Sequence, residues 1–136
     1  LISTGKRVAG GYSVYVHPTL VKAGELEAAV PMNYNLITFR GDTSDRMSFY
    51  GQGAGRYPTA YNVVEDLVDV LNGRGFYAPY GEADNTGLLR FYVRGDRKGA
   101  VEETWGGAVI TAPVAVGEIH GWLKENPDAF IAEIRA

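Results

Sequence analysis

Runs with apolar residues at every second position mark both ends of the chain, and a period of three to four marks its middle. Tyr12 to Val16 (YSVYV) sets Tyr12, Val14 and Val16 on one face. That period of two predicts a short strand, stopped by Pro18 because proline lacks the amide the ladder needs. Leu36–Arg40 and Arg46–Tyr50 are two further strand-like runs, and the turn-forming GDTSD between them predicts a β-hairpin. From Ala60 the apolar positions are Ala60, Val63, Val64, Leu67, Val68 and Leu71, the spacing of one helical stripe. Thr59 stands where it can cap that helix, Pro58 fixes the entry, and Gly73 supplies a permissive C-terminus.

Residues 21–31 combine a weakening glycine with a terminating proline and predict a brief helical turn or a loop. Arg74 to Thr86 has glycine, proline and asparagine without periodicity and reads as a linker. Beyond it, Leu89, Phe91 and Val93 alternate along a half-buried strand over Leu88–Arg94, and GAVITAPV (Gly107–Val114) predicts another. Val116, Ile119 and Leu123 space a helix that Pro127 ends, and Ala129–Arg135 reads as a closing strand with Phe130, Ala132 and Ile134 inward. The fold class expected is α+β: a mixed or antiparallel sheet with packed helices, followed by a second, smaller α+β lobe.

Composition narrows the function classes. The chain has 136 residues and a formal net charge of −3, enough for one domain or two small lobes. No run approaches the roughly 20 apolar residues of a membrane span, and no basic segment followed by an apolar one opens the sequence. Neither membrane nor secretion is indicated. Cysteine is absent, which removes disulfides and thiolate chemistry and suits the cytoplasm. Thirteen Lys and Arg are scattered among sixteen Asp and Glu, so no basic stripe offers a nucleic-acid footprint. The chain begins at Leu1 and turns strand-like almost at once, which reads as part of something longer.

The densest local signal is FYGQGAGRYPTAYNVVEDLVDV, with Gly51, Gly53 and Gly55 running into the helix. G-x-G-x-G with Arg56 next is not the G-x-G-x-x-G fingerprint, and no Lys-Ser/Thr follows to make a P-loop. Two readings stay open: a plain strand-to-helix connector, or a loop whose backbone amides and helix N-terminus face an anion. His17 and His120 have no partners at metal spacing and read as packing or solvated residues. Glu65, Asp66 and Asp69 read as the wet helix face, and no nucleophile with an adjacent base is visible. No catalytic residue and no metal site is assigned from these motifs.

The same block resembles the GAG-x-x-PTA-x-x-VV-x-D segment of bacterial homoserine dehydrogenases. Upstream, VYVHPTLV (Val14–Val21) and the following ELEAAVPMNYNLITFRGD are similar to that family's V-x-V-x-PTL and its Asn-containing strand. The resemblance covers about residues 1–73 and is collinear. It implies that 1–73 is the end of a substrate and dimerisation domain, 74–87 a linker, and 88–136 a lobe standing where many of these enzymes carry a ferredoxin-like ACT regulatory domain. LRFYVRGDRKGAV resembles the first ACT strand and its D-R-P-G-V turn, with Lys98 in place of proline. EETWGG is too short and glycine-rich for the first ACT helix, so the lobe is expected to be degenerate.

By resemblance, Gly53, Ala54, Gly55 and Thr59 are the cofactor-contacting positions. The Tyr61-Asn62 pair replaces smaller residues at the helix start. The parent protein would be an NAD(P)-dependent oxidoreductase interconverting L-homoserine and L-aspartate 4-semialdehyde, in threonine and methionine biosynthesis. It would act on a small-molecule substrate as a cytoplasmic homodimer or higher homo-oligomer. The 136-residue chain alone is expected to be inactive and to hold no cofactor tightly, since the dinucleotide fingerprint is missing from it. The alternative from another class is a non-catalytic amino-acid-binding or dimerisation module.

Overall fold

A computed structural model describes residues 1–8, 11–75, 83–96 and 101–135. The chain divides into two compact units, Leu1–Lys22 with Pro79–Ala136, and Ala23–Ala78. Both are built of strands and helices, as the α+β expectation requires.

In the first unit, β1 (Ile2–Val8) and β2 (Gly11–His17) form an antiparallel ribbon with Ile2 opposite His17 and Val8 opposite Gly11. After Pro18, β3 (Thr19–Leu20) joins a five-stranded sheet at its edge. The order is β3, β11 (Phe130–Ile134), β7 (Phe91–Arg94), β9 (Ala108–Thr111) and β8 (Val101–Trp105). Only the β3–β11 pairing is parallel, and it brings the N-terminal segment to the last strand of the chain. Gly106 and Gly107, at φ 55° and 79°, close the β8–β9 hairpin with the two consecutive left-handed residues that a tight hairpin turn favours. A two-residue pair joins β6 (Leu88–Leu89) to β10 (Val114–Ala115).

Helix α2 (Val116–Glu125) starts at Ala115, which has no capping side chain. Its first amides are satisfied instead by backbone carbonyls, Val116 by Gly87 and Gly117 by Asn85. The core holds Tyr15, Phe91, Val93, Val114, Val116, Ile119 and Ile131. Phe91 and Ile119 are completely buried, which is worth about 1.5–3 kcal/mol each.

In the second unit a 3-10 turn (Leu26–Ala29) precedes β4 (Tyr34–Gly41) and β5 (Asp45–Gln52). The expected hairpin is present, with Gly41 opposite Asp45 across the turn, and Asp45 takes φ 48°. Helix α1 (Arg56–Leu71) follows, with no buried residue. Its apolar stripe is present and open to solvent, with Val64 at 59% exposure and Leu67 at 57%.

Three sequence expectations are corrected. The face of β2 carrying Tyr12, Val14 and Val16 is the exposed one, and Ser13, Tyr15 and His17 are buried because each finds a polar or aromatic partner. In β11, the consecutive residues Ile131, Ala132 and Glu133 are all buried while Phe130 is partly open, so both faces of this strand are covered along its middle. The run GAVITAPV breaks into β9 and β10 around Pro113, and EETW forms β8. A strand thus stands between β7 and β9, where a ferredoxin-like lobe has a helix. Of the expected linker, residues 76–82 lie outside the described residues, as do Arg97–Ala100 of the D-R-x-G-V turn.

Candidate functional site

The glycine loop is built by the exit from β5. Gly53 and Ala54 both direct their amides to the carbonyl of Asn33, at 3.0 and 3.3 Å, and the Asn33 side chain donates back to the carbonyl of Ala54 at 2.8 Å. Those two amides are therefore committed within the loop and do not face an anion. Gly53 is glycine for a local reason, because a β-carbon there would fall inside the carboxamide of Asn35. Gly51 has open space around it.

Gly55 is the N-cap of α1 at φ 120°, in backbone territory that side chains rarely adopt. A β-carbon there would come no closer than 3.6 Å to Asn33, so conformation and not crowding selects glycine. Thr59 is not the cap. The helix begins at Arg56, one turn earlier than the apolar stripe suggests, and Thr59 donates its amide to the carbonyl of Gly55 at 3.1 Å. Pro58 is accommodated inside the first turn, where its missing amide is not needed. No side chain caps this end and no acidic residue occupies its first turn. What the loop can offer an anionic group is thus the positive end of α1 at Gly55.

A second constellation appears in the first unit, and the sequence reading had separated its members. His17, at the end of β2, places Nε2 3.0 Å from Oε2 of Glu133 on β11 and Nδ1 3.2 Å from Nε2 of His120 on α2. His17 and Glu133 are 3% and 4% exposed. Tyr15 stacks on the His17 ring at 4.9 Å, and Phe91 meets it edge-on at 5.3 Å. Glu133 also accepts from Nε of Arg135 at 3.2 Å, and Arg135 reaches Oγ1 of Thr4 at 2.6 Å.

The tautomer of each ring sets which nitrogen donates: where Nε2–H of His17 donates to Glu133 and Nδ1 carries no proton, Nδ1 accepts from Nε2–H of His120. Burial pushes the His120 imidazolium below its ordinary range, helped by His17 and Lys124 nearby. Burial, then the Glu133 charge, pushes the Tyr15 phenol up. No group of three or more metal-ligating side chains exists among the described residues. The signal that could have found this cluster is the second register of β2, Ser13, Tyr15 and His17, together with a glutamate inside the apolar run FIAEI.

Among the described residues no helix is long and apolar enough to cross a membrane. Residues 2–68 match the family model described as homoserine dehydrogenase. The homoserine dehydrogenase of Pseudomonas aeruginosa is 40% identical over 70 residues, which is 52% of this chain and 16% of the relative. That of Bacillus subtilis is 35% identical over 89 residues, 60% of this chain and 21% of the relative. The enzyme of Corynebacterium glutamicum is 38% identical over 71 residues, 52% of this chain and 16% of the relative. The chain thus spans only about a fifth or less of the curated relatives it matches, 16% and 21% in these cases.

Proposed function

We propose, from the premise that residues 2–68 belong to the homoserine dehydrogenase family, that this chain is a section of an NAD(P)-dependent enzyme interconverting L-homoserine and L-aspartate 4-semialdehyde. The observation that carries the reading is the collinear match of 2–68, which runs from β1 through the glycine loop into α1. The dinucleotide supplies the hydride acceptor when bound, and the substrate's hydroxyl proton leaves as the carbinol carbon becomes an aldehyde.

The part we assign to this chain is narrow. Of the four positions carried over by resemblance, Gly53 and Ala54 shape the loop, while Gly55 and the first turn of α1, with Thr59 inside it, approach the cofactor's negative charge. The exposed faces support a section that packs on more protein. Ile37, Phe39, Met47 and Phe49 share one face of the β4–β5 ribbon, each at least 43% exposed, and α1 leaves its apolar stripe open. We assign those surfaces to the remainder of the cytoplasmic enzyme and to its homodimer, and residues 88–136 to the position of its regulatory lobe.

A graft tests the reading. Residues 2–68 replacing the matched segment of the Pseudomonas aeruginosa enzyme should leave homoserine-dependent reduction of the dinucleotide measurable, while the isolated 136-residue chain should show none. A folded graft without activity, or turnover by the isolated chain, would overturn it.

A further inference from the structure

The His17–His120–Glu133 chain does not end in the core. It opens onto a cleft of about 450 Å³ on the first unit, within the size range of small-molecule sites. The walls are apolar, from Val16, Leu123, Phe130 and Ile131. The polar side chains that line it are those of His17, His120 and Lys124. Among the described residues no carboxylate side chain lines it: Glu133 is bonded to His17 and to Arg135.

We propose that this cleft binds a small aliphatic carboxylate, its charge held between Lys124 and Nδ1 of His120 and its hydrocarbon body against Leu123, Phe130 and Ile131. Charge complementarity selects the occupant. Lys124 contributes a cation at the rim, and His120 is the titratable group beside it that can take up a proton. An imidazolium at His120 keeps its Nε2–H on Nδ1 of His17 and gains a second N–H at Nδ1, so charging the site leaves the contact between the two rings unbroken. Burial and Lys124 oppose that proton in the empty cleft, and an anion at Nδ1 reverses the balance. Binding therefore draws in a proton and weakens as pH rises. The other charged groups on the elements beside the pair are Arg135 directly after β11, Glu118 on α2 itself and Arg94 at the end of β7, which lies over the Phe130 ring at 5.3 Å. The cleft takes Val16 and His17 from the matched segment 2–68, but His120, Leu123, Lys124, Phe130 and Ile131 lie beyond it, and the test below reads no dehydrogenase activity.

The test is titration of the whole chain with acetate, butyrate and hexanoate, following the His120 ring resonances by NMR. Affinity should rise about fourfold per added methylene, be at least about fivefold stronger near pH 5.5 than near pH 8, and fall about tenfold in Lys124→Gln. Lys124 is exposed, so that variant keeps the fold. Hexanamide, of the same shape without charge, should bind at least tenfold more weakly than hexanoate at the lower pH. Absence of a saturable shift, equal binding of the amide, or an affinity indifferent to both pH and Lys124 would each overturn the proposal.

Discussion

At the scale of single residues, His120 gives the molecule a pH dependence whose sign follows from its surroundings. Its imidazolium is held below the ordinary histidine value, first by burial and then by His17 and Lys124. The unfolded chain therefore binds more protons than the folded one between the lowered value and about pH 6.5. Stability contributed by this residue is lost as pH falls into that window and fully present above it. The melting temperature without added carboxylate should rise between about pH 5 and 7, and His120→Gln should flatten that rise. A variant with the same slope as the parent would assign the dependence to other groups. The residue scale is also where the sequence was least legible. His17 and His120 carry no mutual signal along the chain, since they lie 103 positions apart, and only the fold sets them 3.2 Å from each other. Polar Ser13 and His17 went inward because their partners, Asn85 and Glu133, arrive from distant elements that alternation cannot report.

At the scale of elements, Gly55 separates conformational need from ligand contact. Its φ of 120° makes any side chain costly, on the order of 1–3 kcal/mol. In the whole enzyme, Gly55→Val should therefore lower the melting temperature and also raise the dinucleotide Kd about tenfold, since a β-branched side chain would occupy the ground in front of the first turn of α1. Gly51→Ala, with open space around it, should change neither appreciably. Cofactor titration of the folded variants beside thermal melts checks both. Equal affinity in a less stable Gly55→Val protein would make the loop a connector only. The elements themselves were legible where one local pattern decided them. The β4–β5 hairpin followed from GDTSD, and α1 from its stripe with Gly73 at φ 68° just beyond. The helix start was misplaced because Gly55, not the apolar period, defines it, and β8 was missed because its hairpin turn is Gly106-Gly107 behind a charged run.

At the scale of the whole molecule, the two units differ in how far apart in sequence their contacts lie. The unit Ala23–Ala78 is local, with β4 and β5 joined by a short turn and α1 directly after. The other unit is closed by its extremities: β3 pairs in parallel with β11, and the hydrogen bond from His17 to Glu133 spans 116 positions. Loop closure of that length precedes any reward from the contact, so such pairings form late. In a refolding experiment with pulsed hydrogen exchange, the amides of the β4–β5 hairpin should become protected before those of Glu133 and Arg135, whose acceptors are Pro18 and Leu20. Simultaneous protection would mean that both units fold as one cooperative body. On a ribosome the consequence is sharper. Strand β3 lacks its parallel neighbour, and His17 its carboxylate, until Phe130–Ile134 has left the exit tunnel, so the buried carboxylate–imidazole chain, and the cleft above it, come into being only after the 116 positions between them have been made.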